Sequence, residues 1–391
     1  MKLRTRILAL LLALGLLLSL AACSDSGSGG TKLGSTDGDT VPSPSWSSDT
    51  GTDIDVDTSV EDLWLAAAGI PSDFELMTIN GKPVAARSYL YWLVYNISYM
   101  DQYFLYMFGA PLDWSDDTFV AACKLDSLEA TEYYAIVTAK AKELGFELTR
   151  EQLDELEGNL AQAVEDVGGQ EAFSDRLRKV GLDYDTYYAL NATYYYYEQL
   201  RSGLYPELPS DEELDLLSAK HILLMTVDPT TMTALDEDTV ADKMSTAEGL
   251  LAQLQAAEGE ERLALFDRLM NDYSEDTGLA TNPDGYVFSS GEMVSEFEAG
   301  TRALEFGQIS DVVESQWGYH IILRLDPADH PDIEAAREEA VYNLLEAQIS
   351  DWIAEAEVVF SDAYQKLDVQ KTYETYVAFQ TAFSLEDQTA E

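Results

Sequence analysis

Side chains suited to catalysis are scarce in this chain. Its 391 residues hold three histidines and two cysteines, set among 72 aspartates and glutamates. Histidine is the natural proton-handling group near neutral pH, so His221, His320 and His330 come first. His320 stands in "QWGYHIILRLD", Gln316 to Asp326, at the mouth of an apolar run with the composition of a buried strand. A lone histidine beside a strand is ordinarily a satisfied structural residue, and a functional reading needs other groups arranged around it. The acids are too numerous for any one to stand out by type, and no Asp/Gly loop has calcium-binding spacing.

The elements around these histidines have a definite order. "AKHILLMTV" from Ala219 has strand composition, and Asp238 to Ala257 carries helical periodicity. "ERLALFDRLMNDYS" is a second helix, "GYVF" a short strand and "VSEFEAGTRAL" a third helix. "QISDVV" and "GYHIILRL" are closing strands. This β-α-α-β-α-β-β order predicts a small α+β domain with an antiparallel sheet. Ile333 to about Val359 follows as a long amphipathic helix, and the segment beyond Asp368 has the look of a polar, weakly patterned tail. On the N-terminal side, Asn80-Gly81 marks a turn between a short strand and an apolar, tyrosine-rich helix. Arg87, Asn96, Asp101 and Gln102 interrupt that helix too often for a membrane span. Thr149 is placed to cap a further helix after the Gly145 stop. "GGQEAFSDRLRKVGLDYDTYYALNATYYYYEQL" then gives a helix to Val180, a Gly181 break and a helix from about Tyr184.

The ends carry different information. Lys2, Arg4 and Arg6 precede an apolar run from Ile7 to Leu20, the length of a secretory h-region and short of the roughly 20 residues of a spanning helix. The run closes in "LAAC", Leu20 to Cys23, which resembles the bacterial lipobox and implies a diacylglyceryl group on Cys23. Ser24 to Thr58 is Gly, Ser, Thr, Asp and Pro with few apolar residues, a flexible tether by composition. Loss of residues 1–22 removes three positive charges, leaving 20 Lys and Arg against 72 acids and a formal charge of −52. Such a surface excludes nucleic-acid binding and adhesion to anionic headgroups, so the lipid would attach the chain to the membrane alone. With Cys23 lipidated, only Cys123 remains and no internal disulfide can form.

The block from Ser218 to Asp326 resembles the parvulin peptidyl-prolyl isomerases over its whole length. "AKHILL", "YSEDTG", "FSSGEMVSEFE", "FGQIS" and "QWGYHIILRLD" follow one another in that family's order and approximate spacing. The resemblance implies that the first and last strands lie side by side at the sheet centre, with His320 facing His221. It implies catalytic positions for His221, Asp276, His320 and Ser315. Met293 and Phe297 would form an apolar seat for the proline ring, although a pair spaced four apart also suits plain core packing. Two departures stand out. "NPDGYVF", Asn282 to Phe288, replaces the usual glycine-rich loop, which leaves that loop's apolar pocket residue unassigned, and Trp317 occupies a position where a small residue is common, adding a substrate-facing ring or narrowing the site. His330 matches no site position.

The strand-turn "NG" and the "GG…F…L…G" segment resemble the N-terminal helical chaperone region of the SurA/PrsA foldases. The expected organisation is therefore a signal peptide (1–22), a lipid-anchored tether (23–58), a helical chaperone region (59–209), a parvulin-type domain (210–327), a helix completing the chaperone domain (328–367) and a polar tail (368–391). The fold is α+β, with the parvulin-like domain inserted in a mostly helical one. The resemblance implies an extracytoplasmic, membrane-anchored foldase that isomerises Xaa-Pro bonds in unfolded or newly exported polypeptides, with no cofactor and no metal, and it leaves a homodimer open. Two alternatives stand beside it: a non-catalytic holdase, which the two departures permit, and a solute-binding lipoprotein, which the lipobox and tether fit but the absence of paired α/β lobes does not. If a neutral imidazole is required, activity should fall by pH 5, where an unperturbed histidine is charged.

Overall fold

The Asn80-Gly81 turn sets the first sheet. Both residues adopt positive φ, 51° and 73°, the conformation that a two-residue hairpin turn needs to match strand twist. They join β1 (Glu75–Ile79) to β2 (Lys82–Ala85). This is a computed structural model, and it describes residues 54–109, 112–231 and 233–390. The expected signal peptide, Cys23 and the expected tether as far as residue 53 lie outside the described residues.

The chain divides into two units, one made of the N-terminal part to Gly203 together with Glu346 onward, the other Leu204–Leu345. In the first unit α1 (Leu63–Ala68) precedes the hairpin. Then come α2 (Ala86–Phe108), α3 (Asp117–Glu143), α4 (Arg150–Asp166), α5 (Gln170–Lys179) and α6 (Tyr184–Leu204). Thr149 caps α4 in a capping box with Gln152, its hydroxyl accepting from the Gln152 N–H while the Gln152 side chain accepts from the Thr149 N–H. The core gathers Trp64, Leu76, Tyr89, Leu90, Trp92 and Leu93, each no more than 1% exposed. Among the described residues, no helix is long and apolar enough to cross a membrane, and Cys123 is a buried free thiol.

The C-terminal part departs from expectation twice. The helix after Pro327 ends at Ala354, not near Val359, and Val358–Phe360 instead forms a strand that pairs antiparallel with β1 through Met77–Phe360, Thr78–Val359 and Ile79–Val358. A β-branched pair before a phenylalanine suits that pleated edge better than a helix end. Residues 368–391, expected as a polar tail, hold a helix over Val369–Ala390. Val369, Tyr373, Tyr376, Val377, Phe379 and Phe383 are each at most 5% exposed, and Tyr376 stacks on Trp64 at 5.6 Å. The stripe is built largely from tyrosine and phenylalanine between polar residues, so its mean hydropathy stays low although one face is apolar.

In the second unit the order is β3 (Leu217–Met225), α7 (Glu237–Ala256), α8 (Gly259–Tyr273), β4 (Tyr286–Phe288), α9 (Ser295–Arg302), β5 (Val313–Ser315) and β6 (Gly318–Leu325), with α10 (Ile333–Ala354) beginning after it. The expected strand "QISDVV" is displaced: only Ile309 makes an isolated bridge, to Leu323, and β5 starts at Val313. The Ser310 side chain explains the interruption, because its hydroxyl accepts from the Ile322 N–H in place of a ladder carbonyl. The four strands form an antiparallel sheet in the order β4-β3-β6-β5, giving the α+β fold. Alternation divides its faces. Ile222, Leu224, Tyr319, Ile321 and Leu323 pack under α7 and α8, whereas Leu217, Ala219 and Ile322 pack with Phe288 and Phe297 on the α9 side. The bidentate Arg337–Asp211 pair, 2.6 and 3.0 Å, ties the start of α10 to the segment before β3.

Candidate active site

β3 and β6 are the two central strands, and their register fixes the histidines. His221 pairs with Ile322 and Leu223 with His320, which makes the imidazoles diagonal neighbours on the α9 face, within reach of each other. The rings stack 5.2 Å apart at an interplanar angle of 14°, and their Nδ1 atoms are 3.0 Å apart. Asp276 arrives from the chain after α8, where it caps the 3-10 turn Thr277–Ala280. Its Oδ2 lies 3.0 Å from His221 Nε2, and its Oδ1 accepts from the Gly278 N–H at 3.0 Å. Ser315, the last residue of β5, sits 2.7 Å from His320 Nε2. The four expected polar residues thus form one chain of contacts.

Burial decides the charge state of His320, and hydrogen bonds decide that of Asp276. His320 is 3% exposed, and burial, aided by the neighbouring His221 and opposed by Asp276, lowers its pKa to about 3. Removing a charged imidazole from water costs more than the distant carboxylate returns. His320 is therefore neutral at pH 5, and the expectation that acid would charge this ring there does not hold. Asp276 is also sheltered, which raises its pKa, but hydrogen bonds from His221, Tyr286 and Gly278 more than offset this and hold it at about 2. An ionised carboxylate only accepts, so His221 Nε2 carries a hydrogen. With His221 in its neutral form, its Nδ1 accepts from His320 Nδ1–H. His320 Nε2 then accepts from the Ser315 hydroxyl, whose oxygen also receives the Trp317 N–H at 3.1 Å. Every hydrogen bond in the row points the same way.

The apolar residues complete the site. Phe297, on α9, is 3% exposed, and its ring lies 5.0 Å from His221 and 5.5 Å from His320. It is a core residue that walls both imidazoles, and Met293 packs half-buried against the same cluster. Trp317 turns the chain between β5 and β6 and is half-buried; its carbonyl accepts from the Thr226 N–H at 3.0 Å, anchoring the turn to the end of β3. His330, which matched no site position, is buried just beyond β6. Its Nδ1 accepts from the Asp332 N–H at 3.2 Å, leaving Nε2–H to donate to the Gly285 carbonyl at 3.3 Å.

Sequence reasoning missed Tyr286. The phenol donates to Asp276 Oδ2 at 2.6 Å, and the ring meets His221 edge-on at 5.8 Å. The signal lay in the departing loop "NPDGYVF", where Gly285 at φ 92° lets the backbone pass close to Ala219 and begins β4 at the tyrosine. Nothing in the pattern of residues shows which way the phenol points.

Residues 221–326 match the family model of the rotamase, or PPIC-type PPIASE, domain. Among characterised proteins, the chain is 33% identical over 132 residues to the foldase protein PrsA of Halalkalibacterium halodurans, covering 31% of this chain and 37% of that protein. It is 29% identical over 243 residues to the foldase protein PrsA of Oceanobacillus iheyensis, covering 53% and 68%. The chain thus spans little more than a third of the length of the first of these relatives. Among solved structures, PrsA from Bacillus cereus aligns with 70% of this chain and 96% of its own at 20% identity, with a TM-score of 0.32.

Proposed function

We propose, for a chain whose residues 221–326 form a PPIC-type PPIase domain within surroundings that resemble PrsA foldases, that it catalyses cis–trans isomerisation of Xaa-Pro peptide bonds. The observation that carries this reading is the stacked imidazole pair, walled by Phe297 and held in one hydrogen-bonded row, with burial keeping His320 neutral. Amide resonance puts a barrier of about 18–20 kcal/mol between the isomers, and uncatalysed proline isomerisation takes about 10–100 s. The planar amide is the more dipolar form, so a dry and weakly polar surface favours the twisted one. Met293 and Phe297 border the seat for the proline ring, and the imidazoles lie beneath the twisting bond, with the buried His320 ring uncharged. Asp276 and Ser315 close the two ends of the row. No bond is made to the protein, so no nucleophile or cofactor enters the chemistry.

The substrates in this reading are unfolded or newly exported polypeptides. The helical unit supplies chaperone action, and Cys23 supplies a lipid anchor on the extracytoplasmic face of the cell membrane. "LAAC" and the acidic, tethered N-terminal segment support the placement. Exposed Tyr103, Leu105 and Tyr106 at the end of α2 support apolar client contact. The test is isomerisation of a Xaa-Pro peptide by the wild type, His221→Asn, His320→Asn and the double variant. Both single variants should lose rate, and the double should be little worse than either, because the rings act as one unit. A folded wild type without isomerase activity would favour the holdase reading. Aggregation of an unfolded client should still be suppressed by a variant lacking 218–326, its ends joined by a short linker; a folded variant with no such effect removes the chaperone part.

A further inference from the structure

The departing loop has supplied a side chain that nothing yet explains. We infer that Tyr286 is a positioning residue, holding Asp276 by its phenol so that the hydrogen bonds through His221 and His320 run in a single direction. The inference rests on the isomerase reading for its kinetic consequence, but not for its structural one.

Three observations carry it. Tyr286 Oη and His221 Nε2 meet the same carboxylate oxygen, Asp276 Oδ2, at 2.6 and 3.0 Å, while Oδ1 is occupied by the Gly278 N–H. A carboxylate with donors on both oxygens is fixed in orientation and kept as an acceptor. The space for the phenol is also shaped for it: a Cβ on Gly278 would come 2.2 Å from Tyr286 Oη, so any other residue there would push the hydroxyl away. Finally, the tyrosine is held from the backbone side, because buried His330 bonds the carbonyl of Gly285, the residue immediately before it.

The consequence follows along the row. With Asp276 fixed as an acceptor, the Nε2–H tautomer of His221 is strongly favoured, and the orientation of the His320 and Ser315 hydrogens follows from it. Without the phenol, Asp276 retains two donors but loses the one that braces Oδ2 opposite the histidine. The carboxylate can then turn, and both His221 tautomers become populated. Tyr286 would touch the reacting amide only through this chain, so its loss should lower turnover and leave substrate affinity alone.

The experiment uses the full chain and Tyr286→Phe, which keeps the ring and removes the hydroxyl. Nitrogen-15 spectra of the three histidines should show His221 as the Nε2–H tautomer in the wild type and as a mixture in the variant. Turnover of a Xaa-Pro peptide should fall by about ten- to a hundredfold, the size expected for one hydrogen bond to a charged group, with KM unchanged. Gly278→Ala, which displaces the hydroxyl by a separate route, should give the same spectral change. An unaltered tautomer in both folded variants overturns the inference, as does a rate loss that accompanies only lowered stability. A wild type with the expected tautomer but no isomerase activity counts against the functional reading and leaves the positioning role standing.

Discussion

Acidification should test the burial of His320 directly. In the unfolded chain its imidazole takes up a proton near pH 6.5, whereas in the fold its pKa is lowered to about 3. The unfolded state therefore binds a proton that the folded state refuses. The associated stability is fully present above about pH 6.5 and drains away as the pH falls toward 3. At pH 4.5 the folded ring is still neutral, so two pH units of unfolded-state protonation give a loss of about 2.7 kcal/mol relative to pH 8. Asp276 adds nothing in this interval, since its depressed pKa of about 2 places its own loss below its ordinary 3.8. The loss should appear in the amide-exchange protection of the β3–β6 ladder, for instance at Ile222 and Ile321, and His320→Asn should lack this component. Proton spectra should show the His320 ring unprotonated down to about pH 4. A His320 ring that titrates near pH 6.5, or a variant that keeps the whole acid dependence, would refute the argument.

Phe297→Ala should destabilise the second unit by about 3–5 kcal/mol, the usual cost of deleting a buried phenylalanine, as measured by chemical unfolding. Truncation after Asp368 should strip the partner from Trp64 and remove buried Tyr373, Tyr376, Phe379 and Phe383 at once, lowering the melting temperature of the first unit by more than about 10 °C; an unchanged melting temperature would mean that the last helix does not belong to its core. Cys23→Ser should eliminate incorporation of a fatty-acid probe, and a variant that still takes up label would exclude Cys23 as the anchor.

Much of the second unit was legible because its signals are local. The composition of "AKHILL" and "GYHIILRL" and the helical periodicity between them gave the strands and helices, whereas the meeting of His221 with His320 came from the parvulin resemblance that the ordered motifs carry. The diagonal offset of the two rings was not legible, since it depends on a register set by the whole β3–β6 ladder. Nor was the neutrality of His320 at pH 5, which comes from desolvation by the packed sheet and by Phe297. Tyr286 was hidden for a similar reason, its role resting on the direction of one phenol. The helix over Val369–Ala390 escaped because amphipathic tyrosines and threonines carry a weak hydropathy signal even on a buried face.

That last helix has a consequence for the order in which the chain matures. Residues 204–345 are contiguous, and their sheet can assemble as soon as β6 has left the translocation or synthesis machinery. The first unit is split by this insertion: β1 waits for Val358–Phe360, and Trp64 waits for Tyr376. Met77 and Phe360 are 283 positions apart and Trp64 and Tyr376 are 312 apart, so closing the unit is a late, non-local event with a large loop to gather. Until then the aromatic faces that Tyr373, Tyr376 and Phe379 will cover stand open to water. A chain stalled before its final twenty residues would present a finished sheet domain beside an unfinished, adhesive helical one.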